Sequence, residues 1–224
     1  MAVEVHSPLT PVLWPGLEGI RSACSGLVLM EIEEISALEE SLFTPREALQ
    51  AQGSGPRRRR SYRAARVALK QLARRLGLVE EDRPDSAIET LGPDPAKPCL
   101  PGSGLYCSVS HTDRFVAAVG HVRPVGVDLE CVSAKMVRVR QLFMSPREQD
   151  LLSRSGLSPE RVAARVWTIK EAAAKALGLD LETAIREVEV VRVGEAESLL
   201  RYQKRVGPVS HGEGDGQVIT LKIC

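Results

Sequence analysis

Two short stretches hold most of the residues whose chemistry could be catalytic. In Gly126-Val-Asp-Leu-Glu130, Asp128 and Glu130 lie two positions apart. On a strand that spacing puts both carboxylates on one face and sends Val127 and Leu129 to the other. Neighbouring carboxylates repel each other unless a cation lies between them. All-oxygen ligation suits Mg²⁺, which takes one or two protein carboxylates and leaves positions for water and phosphate. Alone, such a pair reads more often as a solvated strand end. In Trp167-Thr-Ile-Lys-Glu-Ala-Ala-Ala-Lys175, residues Trp167, Glu171 and Lys175 fall at i, i+4 and i+8 and form one helical stripe. A Glu–Lys pair at that spacing is an ordinary surface ion pair. Here it shares its stripe with an apolar Trp and borders an alanine run suited to close packing, which favours the rim of a cleft. If Glu171 completes a cation shell, Lys175 can hold a phosphate oxygen on the same side.

Three other stretches carry weaker signals. Ser108-Val-Ser-His111 ends a strand, where a lone His is most often a turn residue. Lys97-Pro98 stands in a Pro-rich loop. Arg57–Arg60, with Arg63 and Arg66 beyond, follows Gly53-Ser-Gly-Pro56 and reads as a solvated loop. A nucleic-acid patch is disfavoured because aromatic residues are not interleaved and the formal net charge is only +1.

The elements that must position these residues follow from periodicity and capping signals. Strands are expected at 26–33, 105–110, 115–120 and 125–131, and again at 187–193 and 217–223. Thr44-Pro-Arg-Glu47 is a capping box with Pro at the first helical position. A second helix runs from Ser61 to Leu76, closed by Gly77. Ser145-Pro-Arg-Glu148 opens a third, and Ser158-Pro-Glu opens a fourth that ends at Gly178. Residues 1–24 read as irregular and 81–104 as loop with at most one short strand. Hydrophobic residues make up 43% of the 224 and charged residues 26%, an ordinary globular composition. No apolar run is long enough for a membrane span, and the N-terminus lacks signal-peptide order. Five scattered cysteines without a Cys-x-x-Cys pair read as free thiols of a cytoplasmic protein.

The order of elements repeats. Thr44-Pro-Arg-Glu47 recurs 101 positions later as Ser145-Pro-Arg-Glu148, and Leu76-Gly77-Leu78 recurs at the same offset as Leu177-Gly178-Leu179. This favours a tandem duplication: an α+β pseudo-dimer of two similar α/β halves, 1–120 and 121–224, with the ligand in the cleft between them. At that offset Asp128 and Glu130 match Leu27 and Leu29, and Glu171 matches Lys70. The carboxylates are peculiar to the second half.

Ala96-Lys97-Pro98-Cys99-Leu100-Pro101, Ser108-Val-Ser-His111, Gly126–Glu130 and Trp167–Lys175, in that order, resemble the successive motifs of the Sfp-type phosphopantetheinyl transferases over residues 26–193. The resemblance implies a pseudo-dimer that transfers 4′-phosphopantetheine from coenzyme A to a serine of an acyl- or peptidyl-carrier protein. A non-catalytic coenzyme A-binding homologue is the alternative. It implies Asp128, Glu130 and Glu171 as Mg²⁺ ligands, and Glu171 as the base for the serine proton. Lys175, helped by Lys170, would hold the pyrophosphate. Ser110 and His111 would meet the 3′-phosphate, with Arg60 and Ser61 as further coenzyme A contacts, and Lys97-Pro98 would line the adenine pocket. A monomer is expected, with no nucleic-acid or membrane partner, and Lys135, Arg138 and Arg140 could face an acidic carrier helix. The chain departs from the family pattern at Ala96, where Gly is common, at Glu47 and Gln50, where basic residues are usual, and after residue 193, where the strand-rich C-terminal piece is reduced to 216–223.

Overall fold

The computed structural model describes residues 12, 14–32, 40–94, 97–100 and 102–224. Ala96 and Pro101 of the first motif lie outside the described residues. In chain order the elements are α1 (Leu17–Ala23), β1 (Gly26–Glu31), α2 (Pro45–Gln52), α3 (Pro56–Arg75), β2 (Tyr106–His111), β3 (Phe115–His121), β4 (Val125–Cys131), α4 (Ala134–Arg138), α5 (Pro146–Gln149), α6 (Leu151–Arg154), α7 (Pro159–Leu177), α8 (Leu181–Glu187), β5 (Val188–Arg192), β6 (Glu197–Tyr202), β7 (Arg205–Gly214) and β8 (Gln217–Ile223). This is a mixed α+β fold with two antiparallel sheets, ordered β1-β3-β2 and β4-β8-β7-β6-β5.

Strands β1, β3, β4 and β8 are buried on both faces and read as near-continuous apolar runs, whereas β2, β5 and β6 alternate between buried and more exposed positions. Leu27, Leu29, Phe115 and Val119 of the first sheet pack on Val127, Leu129, Ile219 and Leu221 of the second, forming a core between the sheets. Val28, Met30 and Val116 face α3. On the far side of the second sheet, Val166, Ile169 and Ala173 of α7 pack on Val188, Val190 and Leu200. The sheets meet at β2 and β4, where serine hydroxyls replace ladder bonds: Val127 N donates to Ser108 Oγ (3.1 Å) and Leu129 N to Ser110 Oγ (3.2 Å).

Both capping boxes form as read, each with the Ser or Thr hydroxyl on the third residue's amide and the glutamate reaching back. In each half that glutamate is fully buried and paired with a lysine of the long helix: Glu47 with Lys70 at 2.7 Å, Glu148 with Lys170 at 3.0 Å. The second lysine contact recurs too, Lys70 to Asp85 O and Lys170 to Ile185 O. So does the second glutamate contact, to Thr90 N and Val190 N. Gly26 lies against Leu72 of α3 and Leu76 just past its end. Gly126 lies so tightly against Ala172 and Ala176 of α7 that a Cβ there would be 1.9 Å from Ala172 O. Arg75 reaches Leu27 O, as Lys175 reaches Val127 O at 2.9 Å. These correspondences support the duplication reading and correct its register. Across the strand and most of the long helix the offset is 100, so Lys70 answers to Lys170, Glu171 to Gln71, and Asp128 and Glu130 to Val28 and Met30.

Several expected bounds move. The stretch read as irregular contains α1, and Trp14 packs edge-on to Phe115 at 4.9 Å; residues 1–11 and 13 lie outside the described residues. This seven-residue helix has no side-chain cap, so no start signal announced it. The arginine run belongs to the first turns of α3, because Pro56 at its first position starts the helix there. The capping box at Ser145 opens two short helices rather than one. The C-terminal piece is not reduced: β6 and β7 complete a five-stranded sheet. No helix of the described residues is long and apolar enough to cross a membrane.

Candidate active site

A cavity of about 1260 Å³ lies where the two halves face each other. Its first-half wall is the N-terminal face of α3, with Pro56, Arg57, Arg58, Ser61, Tyr62 and Ala65, together with the β2–β3 turn at 110–114. Its second-half wall is the end of β4, from Asp128 to Cys131, and the Trp167-Glu171-Lys175 stripe of α7. The i, i+4, i+8 spacing therefore works as the sequence predicts, with Trp167 held edge-on to Phe143 at 5.2 Å.

Asp128 is buried and tightly held. Its Oδ1 accepts from Ser110 Oγ at 2.8 Å and from Lys175 Nζ at 2.9 Å. Lys175 lies 3.9 Å from Glu171 Oε2, so it bridges the two acids. Glu130 Oε1 accepts from the Cys131 amide at 2.8 Å. Burial first, then the Asp128 charge, pushes the Glu171 carboxyl above its ordinary pKa against the pull of Lys175. Glu130 is raised as well, by burial and by Asp128, with the Cys131 amide opposing. His111 is lowered by desolvation of its ring and by the Lys175 charge.

Among the described residues no group of three His, Cys, Asp or Glu side chains closes tightly enough to hold a metal ion. The donor chemistry nevertheless suits a hard cation. Asp128, Glu130 and Glu171 line one cavity, the Asp128 charge adds to burial in raising the two glutamates, and the lysine among them bonds Asp128 and a backbone carbonyl at hydrogen-bond distance.

The structure brings together Ser61, Ser110, His111, Asp128, Glu130, Glu171 and Lys175. Arg60 lines a smaller adjoining pocket of about 270 Å³ together with Arg57, Ser61 and Asp113. Three expectations need correction. Lys170 points away from the cavity: it is 1% exposed and bonded to Glu148 and Ile185 O, one helix position away from Glu171 and so on a different face. Lys97 and Pro98 do not line the cavity. Pro98 bridges to Leu91, in a loop that Arg66 pins through Thr90 O at 2.8 Å, and Lys97 is exposed near Asp94. Ser110 has its hydroxyl committed to Asp128 and the Leu129 amide, so it orients a carboxylate rather than offering a free donor.

Tyr62 was not singled out in the sequence, and Arg57 and Arg58 entered only as part of an arginine run. The signal was present: 57, 58, 61, 62 and 65 fall at i, i+1, i+4, i+5 and i+8, one face of a helix. Reading the arginines as loop hid it. Arg57 ties this face to the β2–β3 turn through a bidentate pair with Asp113, at 2.9 and 3.1 Å.

Residues 124–221, from the start of β4 to β8, match the model of the 4′-phosphopantetheinyl transferase superfamily. The chain is 30% identical over 139 residues to 4′-phosphopantetheinyl transferase HetI of Nostoc sp. (strain PCC 7120 / SAG 25.82 / UTEX 2576), covering 60% of this chain and 58% of that one. It is 25% identical over 107 residues to 4′-phosphopantetheinyl transferase gsp of Aneurinibacillus migulanus, covering 47% and 45%. The chain thus spans about half the length of these two relatives. It is 22% identical over 198 residues to enterobactin synthase component D of Escherichia coli (strain K12), covering 87% and 91%.

Proposed function

We propose that this chain, whose residues 124–221 match the model of the 4′-phosphopantetheinyl transferase superfamily, transfers the 4′-phosphopantetheine group of coenzyme A to a serine hydroxyl of an apo acyl- or peptidyl-carrier protein, releasing adenosine 3′,5′-bisphosphate. The observation that carries this reading is the cavity itself: Asp128, Glu130, Glu171 and Lys175 face a basic first-half wall with Arg57, Arg58 and Ser61 across one space.

Asp128, Glu130 and Glu171 are the residues that would hold Mg²⁺, which when bound supplies charge neutralisation at the pyrophosphate oxygens. Lys175 holds a pyrophosphate oxygen and offsets the charge that builds as the pyrophosphate P–O bond breaks, the serine phosphoester forms and adenosine 3′,5′-bisphosphate leaves. Glu171 accepts the serine proton, directly or through water; a hydroxyl is a poor nucleophile until that proton has an acceptor. Ser110 keeps the Asp128 carboxylate aimed into the cavity. His111, Ser61 and the α3 arginines, Arg60 included, receive the 3′-phosphate and nucleotide. Lys135, on the cavity rim beside Arg138 and Arg140, offers positive charge to an acidic carrier helix. The halves 1–120 and 121–224 supply both walls of the cleft, so a monomer suffices. The free cysteines suit a reducing cytoplasm.

The test mixes the protein with coenzyme A, Mg²⁺ and several apo-carrier proteins and weighs each carrier by mass spectrometry. A mass increase of one phosphopantetheine group on at least one carrier is expected. No increase on any of them, with the protein folded, would overturn the reading in favour of a non-catalytic coenzyme A-binding homologue.

A further inference from the structure

Beneath the cavity, four side chains form a buried chain of hydrogen bonds with no part in the chemistry above. Thr168 Oγ1 of α7 lies 2.6 Å from Thr220 Oγ1 of β8. Thr220 Oγ1 lies 2.8 Å from Nδ1 of His211 in β7, and His211 Nε2 lies 2.7 Å from Ser198 Oγ of β6. All four residues are fully buried. The chain begins next to the site: Thr168 follows Trp167 and precedes Glu171 by one turn. Thr220 sits directly opposite Asp128 in the β4–β8 register.

Hydrogen-bond bookkeeping gives the chain a direction. Thr168 Oγ1 donates to Arg165 O at 3.1 Å, so its one proton is spent and it must accept from Thr220. Thr220 then has no proton left for His211 and must accept from Nδ1–H. Nε2 is therefore the acceptor, and Ser198 donates to it while accepting from Gly194 N at 3.2 Å. Every group is satisfied in one arrangement, with a neutral imidazole protonated on Nδ1. A second ring proton would oppose the Ser198 proton. It would also place a charge facing Arg165, the charged group set against the ring from α7, which is itself paired with Glu213 of β7 at 2.8 Å. Burial and Arg165 both disfavour the charged ring.

We infer that His211 is a positioning residue: through Thr220 and Thr168 it holds α7, and with it Glu171 and Lys175, in register with Asp128 on β4. The catalytic half of the inference rests on the transferase reading; the hydrogen-bond half does not. A misplacement of about 1 Å at reacting groups can cost a hundred-fold in rate, so the lock has a functional consequence separate from stability.

The experiment has two arms on the full chain. Nitrogen-15 NMR of the histidine rings reads the tautomer: His211 is expected protonated on Nδ1 and unchanged from pH 8 to pH 5. An Nε2–H tautomer, or titration within that range, would overturn the lock. The second arm compares Thr168→Val, His211→Asn and His211→Gln. Asn presents an amide donor near the Nδ1 position and Gln near Nε2, so Asn should rescue and Gln should not. The Trp167 indole resonance should move in Thr168→Val and His211→Gln and stay near its original place in His211→Asn. In the transfer assay the first two should lose roughly ten-fold in kcat, with the KM for coenzyme A nearly unchanged. Lower melting temperature with an unmoved Trp167 signal in all three would overturn positioning and leave a structural role. If the natural chain itself shows no transfer, the transferase reading fails, and the tautomer and the Trp167 signal still decide the lock.

Discussion

Arg75 at the end of α3 and Lys175 near the end of α7 make the same contact, each reaching the backbone carbonyl of the strand beneath it, Leu27 in one half and Val127 in the other. The next residue along the strand separates the two halves. In the first it is Val28, buried against α3. In the second it is Asp128, whose carboxylate takes the lysine's remaining reach and opens onto the cavity. Met30 and Gln71 stand where the second half has Glu130 and Glu171. A scaffold contact thus recurs in both halves, and the acids convert one copy into a site while the other stays a packing joint. The first half contributes from elsewhere, through the N-terminal face of α3.

The largest expected effect breaks that asymmetry. Asp128→Ala should lower transfer by roughly 10²–10⁴, the range for losing a positioned group in the chemical step. Gln71→Glu, at the matching position of the first half, should leave the rate within about two-fold. Rates read from carrier mass against time check both, and comparable losses would dissolve the contrast.

A stability effect follows, and here the halves should agree. Lys70→Met and Lys170→Met each strand a fully buried glutamate, Glu47 or Glu148. Each should cost about 3–5 kcal/mol in urea unfolding. In mild conditions where it remains folded, Lys170→Met should keep its affinity for coenzyme A. Native stability with weakened coenzyme A binding would return Lys170 to the phosphate site.

Next comes a pH effect confined to the second half. Burial, and secondarily the Arg165 charge, lowers His211 to about 3 from 6.5. Its folded value lies below its unfolded one, so its contribution to stability is complete above pH 6.5 and declines as pH falls toward 3. The slope approaches about 1.4 kcal/mol per pH unit from this one group. Chemical denaturation at several pH values should show a flatter profile for His211→Gln across that window; an identical slope would exclude His211 as the source.

The smallest effect concerns the exposed Arg57–Asp113 pair, whose side chains are 84% and 76% accessible. Asp113→Asn should cost under about 1 kcal/mol, and less in high salt. A larger loss in thermal unfolding would mean that this pair holds α3 against the β2–β3 turn.

Much of this was legible in sequence because local chemistry wrote it. Both capping boxes, the glycines closing α3 and α7, and the i, i+4, i+8 stripe depend on residues within a turn or two of each other. Asp128 and Glu130 were legible as a same-face pair for the same reason. What was not legible depended on distant partners. Lys170 stands beside Glu171 and looks equally available until Glu148, 22 residues earlier, is seen to claim it. Lys97 and Pro98 looked like a pocket wall, but Thr90 and Arg66 hold their loop elsewhere. The β7 strand carries Gly207, Pro208, Gly212 and Gly214, residue types that favour turns, and only pairing across the sheet overrides them. The repeat was visible, yet its register slipped by one residue, because the offset of 101 at the caps gives way to 100 along the strand and most of the long helix.

The most direct measurement is the intact mass of an apo-carrier protein after incubation with coenzyme A, Mg²⁺ and either the natural chain or Glu171→Gln, with both proteins shown folded by circular dichroism. The natural chain should convert the carrier fully, by one phosphopantetheine group, while Glu171→Gln leaves it unmodified over the same time. Conversion at equal rates by both would contradict a site built on the second half's acids.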